Sequence, residues 1–384
     1  MLLKLLFRNA FRHKLRTALT VCGMAVAILA FGMLQTVISA WYAGVEASAA
    51  NRLVTRNAIS LVFPLPLSYA DKIRGVDGVE TVSYGNWFGG IYIDEKHFFA
   101  NFAVEPESFL ELHPEFVLPE SHKTAFLTDR KGCVAGRKLA ERYGWDIGDT
   151  LTLRGTIFPG NWDFVLRGIY RARDETIDEN RFFFHWAYLN ETLKKVQPTR
   201  ADQVGFYISG IERAEEAAGI AQKIDELFEN SFAETLTETE KAFQMSFISM
   251  SEAILTAIEL VSLVVIVIIL AVVANTMSMS VRERLDEFAV LKTLGFGAAT
   301  LGSLIFGESL VITSMGGLIG MALTFPAAAY FRDALGQYFP VFNVDVRTLY
   351  QDLAAVTVVG TVAAGFPIWQ AVRVPIAEGL RRIG

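Results

Sequence analysis

Leu260-Val-Ser-Leu-Val-Val-Ile-Val-Ile-Ile-Leu-Ala-Val-Val-Ala274 contains no charged side chain, and the apolar run around it extends from about Ile254 to Met277. That is close to the ~20 residues a helix needs to cross the hydrocarbon core of a bilayer. Three comparable runs flank it. One lies before it, from about Ala18 to Trp41. Two follow, from about Leu301 to Ala329, with the single acid Glu308, and from about Leu353 to Val372, broken by Pro367. Together they make up about a quarter of the 384 residues, enough for a small bundle and too little for most secondary transporters. The first run is longer than the 7–15 residues typical of a signal-peptide core, and Ala47-Ser48-Ala49 sits too far beyond it to serve as a cleavage site, so it reads as an uncleaved anchor.

Lys and Arg near the span ends set the orientation. Lys4, Arg8, Arg12, Lys14 and Arg16 precede the first span. Arg282, Arg284 and Lys292 lie in the loop after the second, and Arg373, Arg381 and Arg382 in the tail. The loop between the third and fourth spans has only Arg332 and Arg347. Both termini are therefore expected inside, and residues 42–250 outside. The divisions follow: 1–17 a basic cytoplasmic segment, 18–41 the first span, 253–279 the second, 280–300 a cytoplasmic loop, 301–329 the third, 330–348 a short outer loop, 349–372 the fourth, and 373–384 a cytoplasmic tail. The fold class is an α-helical membrane protein with four transmembrane helices and a large α+β extracytoplasmic domain between helices 1 and 2.

That outer segment carries 22 basic and 31 acidic residues, a net of −9, which suits neither nucleic acid nor anionic lipid. Its length allows two subdomains, expected at about 42–98 with 200–250 and at about 99–199. Strands are expected at Ala58–Phe63, from Gly78 to Ser83 and beyond, and at Gln203–Ser209. Helices are expected after Ser68, at Leu139–Tyr143 closed by Gly144, and at 214–228, where Ala217, Ile220, Ala221, Ile224, Leu227 and Phe228 recur at helical spacing. A further element spans Ala233–Thr237. Phe182-Phe-Phe184 with Trp186 and Tyr188 reads as an aromatic strand, serving either as core or as an apolar docking surface.

Catalytic patterns are missing from the sequence. Gly297 and Gly302 have the spacing of a phosphate loop, but Ser303 stands where Lys is required. His97, His113, His122 and His185 show no close ligand spacing. There is no G-x-S-x-G. With only Cys22, placed in the first span as packing, and Cys133, no Cys cluster can hold a metal. No catalytic residue, metal or cofactor is expected in this chain.

The loop after the second span is the most informative segment. In Val281-Arg-Glu-Arg-Leu-Asp-Glu-Phe-Ala-Val-Leu-Lys-Thr-Leu-Gly295, Phe288, Leu291 and Leu294 fall near one helical face with Val281 and Leu285. Arg282, Glu283, Asp286, Glu287 and Lys292 occupy the rest, Arg284 lies among them in the segment, and Gly295 can end the helix. Such a helix is an interfacial element, an extension of the span, or a lever that docks on a cytoplasmic partner. The segment resembles the coupling motif V-x-E-R-x-x-E-I-G-x-x-[RK]-A-[LI]-G of the MacB/FtsX/LolCE-type (type VII) ABC transporter permeases. The span order is also similar to that family's. So are Glu308 with Gly316, Gly317 and Gly320 in the third span, Pro367–Ala371 with Ile376-Ala-Glu-Gly-Leu-Arg381 in the tail, and Gly132–Leu151 with its Gly148-Asp149 turn. Phe288-Ala289 replaces the usual Ile-Gly, and Ile368-Trp-Gln370 departs from the small-plus-basic pattern after Pro367.

The resemblance implies a subunit of the inner (cytoplasmic) membrane with its large domain in the periplasm. A separate ABC ATPase would bind the ATP and Mg, and the permeases would pair as a homodimer or with a paralogue. ATP-driven closure would pass from the coupling helix to the external domain (mechanotransmission) and drive export of a hydrophobic substrate or lipoprotein, with a periplasmic adaptor or lipoprotein carrier. An FtsX-like regulator of a cell-wall hydrolase is the alternative. An autonomous channel or ion-coupled carrier would need more intramembrane charge than Asn275 and Glu308 supply. Glu308 is expected to cap or hydrogen-bond within the bundle, and Gly316, Gly317 and Gly320 to permit close helix approach.

Overall fold

The structure, a computed structural model, describes residues 10–46, 48–174, 177–249, 251–335 and 341–373. Lys4, Arg8, Arg381, Arg382 and the Ile376–Arg381 motif lie outside the described residues. The chain divides into two compact units, the long helices with their connections and the region Trp41–Met250.

The helical unit contains α1 (Lys14–Glu46), α2 (Glu252–Glu283), the short α3 (Leu285–Thr293), α4 (Ala298–Leu335) and α5 (Val346–Arg373). All but α3 are long and apolar enough to cross a membrane. Their outward faces expose Leu260, Leu263, Val267 and Ile268 of α2 and Leu318 and Leu323 of α4, as a lipid-facing surface must. The inward faces bury Met24, Ile28, Val273, Ile305, Val359 and Ala363. Pro367 does not break the fourth span. It is buried within α5, which runs on to Arg373 and loses only the hydrogen bond that Pro cannot donate. Cys22, expected to pack, is exposed on α1.

The strands of the Trp41–Met250 unit are β1 (Arg52–Asn57), β2 (Leu65–Pro66), β3 (Val79–Trp87), β4 (Gly90–Ile91), β5 (Asn101–Val104), β6 (Phe116–Val117), β7 (Gly132–Gly136), β8 (Thr150–Gly155), β9 (Gly160–Ala172), β10 (Phe182–His185), β11 (Gln203–Val204), β12 (Phe206–Ile211) and β13 (Thr235–Thr239). The main sheet follows the order β13-β1-β12-β3-β5-β10-β7-β9-β8-β4, with β6 on β9, and β2 pairs separately with β11. The β5–β10 and β7–β9 pairs are parallel and the other pairs antiparallel. The strands of the two expected subdomains meet in this one sheet, β13, β1, β12 and β3 on one side and β5, β10, β7, β9 and β8 on the other. β3 bonds β12 on one edge and β5 on the other, with Gly85 opposite Val104 and Trp87 opposite Phe102. The ladder therefore crosses the supposed boundary without a free edge.

Alternation explains β9: Trp162, Phe164 and Leu166 point into one core between more exposed neighbours, and the register shift after Leu166 turns Tyr170 to the other. The central β10 is buried on both sides, as a strand covered on both faces must be. Phe182 and Phe184 join one core with Phe99, Phe164 and Leu189, while Phe183 joins another with Phe109, Phe116 and Tyr170. These aromatics are core and not a docking surface. The strand also stops at His185, and Trp186 and Tyr188 belong to the helix Trp186–Val196.

The first strand is corrected as well. Ala58–Phe63 is not β. Its Ile59, Val62 and Phe63 are exposed, and the strand is the polar Arg52–Asn57 before it. Arg52 is buried there because its guanidinium donates to Glu240 at 2.7 Å, to Glu115 at 2.6 Å and to the Leu112 carbonyl at 2.8 Å, the pairing a buried cation requires.

Candidate coupling site at the cytoplasmic end of the helical unit

α2 ends at Glu283 and α3 starts at Leu285, so the expected single helix is broken at Arg284, which closes one and opens the other. The break places Arg284 inward. Its side chain is 10% exposed, and it donates to Glu308 Oε2 of α4 at 2.7 Å while Glu308 itself is 6% exposed. Ser280, one turn earlier on α2, donates to Glu308 Oε1 at 3.3 Å. The Arg284 guanidinium also lies 5.3 Å from the centroid of the buried Phe288 ring. The carboxylate thus has two donors, and the guanidinium two acceptors and an aromatic face, the mutual satisfaction that so dry a place demands.

A second layer sits outside the first. Glu287 accepts from Arg284 at 3.2 Å and from Arg12. Glu283 accepts from Arg16 at 2.7 Å and lies 3.3 Å from His13 Nε2. Burial alone would raise the Glu287 carboxyl, and the hydrogen bonds from Arg12 and Arg284 outweigh it and hold it below the usual carboxylate range. In the sequence Arg12 and Arg16 are orientation signals alone, and His13 carries no signal. In the structure they fasten the residues before and at the start of α1 to the coupling segment.

The end of α3 is built as a Schellman motif. Gly295 N–H donates to Lys292 O at 3.1 Å and Phe296 N–H to Leu291 O at 3.0 Å. Gly295 has φ +89°, a value that a side chain resists and glycine does not. Lys292 Nζ donates to the Val372 carbonyl at 3.0 Å, a cation at the end of α5 where the helix dipole favours one.

Among the predicted residues, Val281, Arg284 and Phe288 are buried together with Glu308, and Leu291 packs against them half-buried. Arg282, Glu283, Glu287 and Leu294 remain exposed. Leu294, expected on the apolar inner face, is 70% exposed, because it is the C-cap of α3, where the chain turns away at Gly295; Val290 and Phe296 are exposed beside it in the chain. Asn275 is exposed on α2 and takes no part in bundle packing.

The glycines lie deeper in the helical unit. A Cβ at Gly316 would come within 2.6 Å of Met24, and one at Gly320 within 2.6 Å of the Ala25 carbonyl, so α1 and α4 are in backbone-close contact. A Cβ at Gly317 would overlap Val356 of α5.

Four long apolar helices and an α+β domain inserted after the first define a multi-pass membrane protein with an extracytoplasmic domain. The MacB-like periplasmic core domain matches residues 17–227, and the FtsX-like permease C-terminal model matches residues 259–376. The chain belongs to the MacB/FtsX-type ABC transporter permeases. It is 23% identical to an uncharacterized ABC transporter permease of Methanocaldococcus jannaschii over 98% of this chain and 96% of that one. It is 26% identical to an uncharacterized ABC transporter permease protein of Mycobacterium tuberculosis over 67% of this chain, which spans 30% of that longer protein. Among solved structures, the periplasmic region of MacB from Actinobacillus actinomycetemcomitans covers 53% of this chain and 95% of its own, at 8% identity and a TM-score of 0.37. The extracellular domain of the noncanonic ABC-type transporter YknZ covers 49% of this chain and all of its own, at 12% identity and a TM-score of 0.36.

Proposed function

We propose that this chain is the permease through which a separate ABC ATPase moves an extracytoplasmic domain, and that this movement drives export of a hydrophobic substrate or lipoprotein. The observation that carries the reading is the built coupling segment. Arg284 anchors α3 to α4, Lys292 anchors it to the end of α5, and Glu283 and Glu287 hold the start of α1. A force applied to α3 thereby reaches several spans without bending the segment itself. The exposed apolar side chains of Val290, Leu294 and Phe296 are the part left for the ATPase. The permease works as a homodimer or with a paralogue, and an adaptor or lipoprotein carrier receives the cargo. The MacB-like match across the external domain supports export over regulation of a wall hydrolase.

The test is affinity purification of the tagged chain from native membranes, with mass spectrometry of what accompanies it. An ATPase is expected, together with an adaptor or a lipoprotein carrier. The variant Leu294→Asp, which touches no packed core, is expected to insert normally and lose the ATPase. A wall hydrolase in place of the adaptor would establish the regulatory role, and a wild-type chain with no ATPase would overturn the reading.

A further inference from the structure

Asp352 lies in the fourth span and the coupling site makes no use of it. It is fully buried, and neither carboxylate oxygen has a hydrogen-bond partner among the described residues. Thr348, one turn earlier on α5, is equally buried, and its hydroxyl is likewise without a partner. Gly32 of α1 and Thr324 of α4 complete the surroundings. A Cβ at Gly32 would lie 3.0 Å from Asp352 Oδ2 and 3.1 Å from Thr324 Oγ1.

The hydrogens here are already committed. Thr324 donates to Gly320 O at 3.0 Å, and Thr36, one turn beyond Gly32, donates to Gly32 O at 2.7 Å. Their oxygens keep lone pairs and have no proton to give. An ionised carboxylate offers about four acceptor sites, and in this place it finds at most the Thr348 hydroxyl. A neutral carboxyl leaves no unpaired charge in this dry place, and burying one costs far less than burying an unpaired anion, so the site suits the acid and not the anion. Charged groups do not change the balance. α1 has no acid or base between Arg16 and Glu46 apart from Cys22 and Tyr42. α4 has none between Glu308, held by Arg284, and Arg332 apart from Tyr330. Glu252 and Glu259 on α2, and Arg347 and Tyr350 on α5, are exposed. A metal cation would need more oxygens than the helices release: α1 and α5 are unbroken around the site, and Pro326 frees one carbonyl of α4.

We propose that Asp352 is a proton-binding site between α1, α4 and α5, occupied while these helices are packed. It lies six residues into α5, about 9 Å from that helix's outer end, so the proton exchanges with the outer side. Parting the helices lets water reach the carboxyl and releases the proton, and closing takes one up. Acid on the outer side therefore favours the closed arrangement. This holds whichever ATPase or cargo the permease serves.

The test is acid-minus-alkaline infrared difference spectroscopy of the full chain in phosphatidylcholine nanodiscs. A carbonyl-stretch band of a protonated carboxylic acid is expected at neutral pH, absent in Asp352→Asn and unchanged when sodium replaces choline. Should Asp352→Asn fail to insert, [4-13C]aspartate labelling of the wild type takes its place, because Asp352 is the one aspartate in the four spans. The band is then expected to shift on labelling. A spectrum at neutral pH with no such band, or a band that sodium abolishes, would overturn the proposal, the latter in favour of a cation site.

Discussion

Removing one partner of the Arg284–Glu308 pair is expected to cost far more than removing both. The pair is direct at 2.7 Å, with side-chain exposures of 10% and 6%. Glu308→Leu leaves a guanidinium buried beside Phe288 with only the half-exposed Glu287 for relief. Arg284→Met leaves a carboxylate with only the Ser280 hydroxyl. Breaking a buried pair from one side costs roughly 3–5 kcal/mol, whereas exchanging both members for apolar residues of similar volume is commonly neutral or stabilising. The double variant Arg284→Met/Glu308→Leu should therefore recover most of the loss. Unfolding of the full chain in mixed micelles, titrated with SDS and followed by far-ultraviolet circular dichroism, measures all four proteins as a cycle. Two nearly silent single variants, or a double variant whose loss equals their sum, would refute the inference that the bond ties α3 to α4.

Further perturbations separate the other parts of the structure. The His113 imidazole, stacked on Phe109 at 4.2 Å, is pushed down from 6.5 to about 3, chiefly by burial and then by Arg52. A group neutral in the fold and protonated when unfolded withdraws stability as pH falls below about 6.5, at ~1.4 kcal/mol per pH unit, so about 2 kcal/mol is gone at pH 5. Denaturant titrations of wild type and His113→Phe at pH 7 and pH 5 should show that loss only in the wild type. Gly316→Val should cost about 1–3 kcal/mol by overpacking against Met24 and the Val21 carbonyl, read in the same micelle assay. Gly295→Ala meets no neighbour but must take φ +89°. It should cost about 1 kcal/mol and expose the end of α3 to trypsin at Lys292.

The long runs were legible because a spanning helix leaves nearly all its residues apolar, and Gly295 because a helix that must turn sharply exposes its terminator. β1 was not legible. Arg52, Thr55, Arg56 and Asn57 hide the alternation on which strand recognition depends, and what makes them fit is a set of partners, Glu115 and Glu240 among them, far away in the chain. Ile59, Val62 and Phe63 present the reverse case, an apolar stretch that the fold leaves in water. The residues around Arg284 stood out as a set through their resemblance to a family motif. Their partnerships were not, because Arg12, Arg284 and Glu308 come together only when three helices pack. Asp352 was visible as an acid at the edge of an apolar run, but its isolation depends on threonine hydroxyls already turned toward their own helices.

The two layers of the coupling site answer differently to salt and to force. Arg12, Glu283 and Glu287 are about half exposed, so their pairs are screened within a Debye length of about 8 Å at physiological ionic strength and contribute little each. Arg284 and Glu308 are shielded from that screening. The residue in the dry pair is also the one at which the helix breaks, with φ −115° and ψ 13° between two helical segments. A hinge free in water would let α3 swing without moving the bundle. A hinge whose own side chain is bound inside α4 cannot turn unless α4 follows or the pair ruptures. High salt should therefore loosen the segment before α1 from α3 while leaving α3 and α4 coupled. Spin labels at exposed positions, one pair at Leu15 and Arg282 and another at Leu294 and Ser303, should show the first distance broadening with salt and the second unchanged. Broadening of both would mean that water reaches the Arg284–Glu308 pair and that the hinge is not pinned.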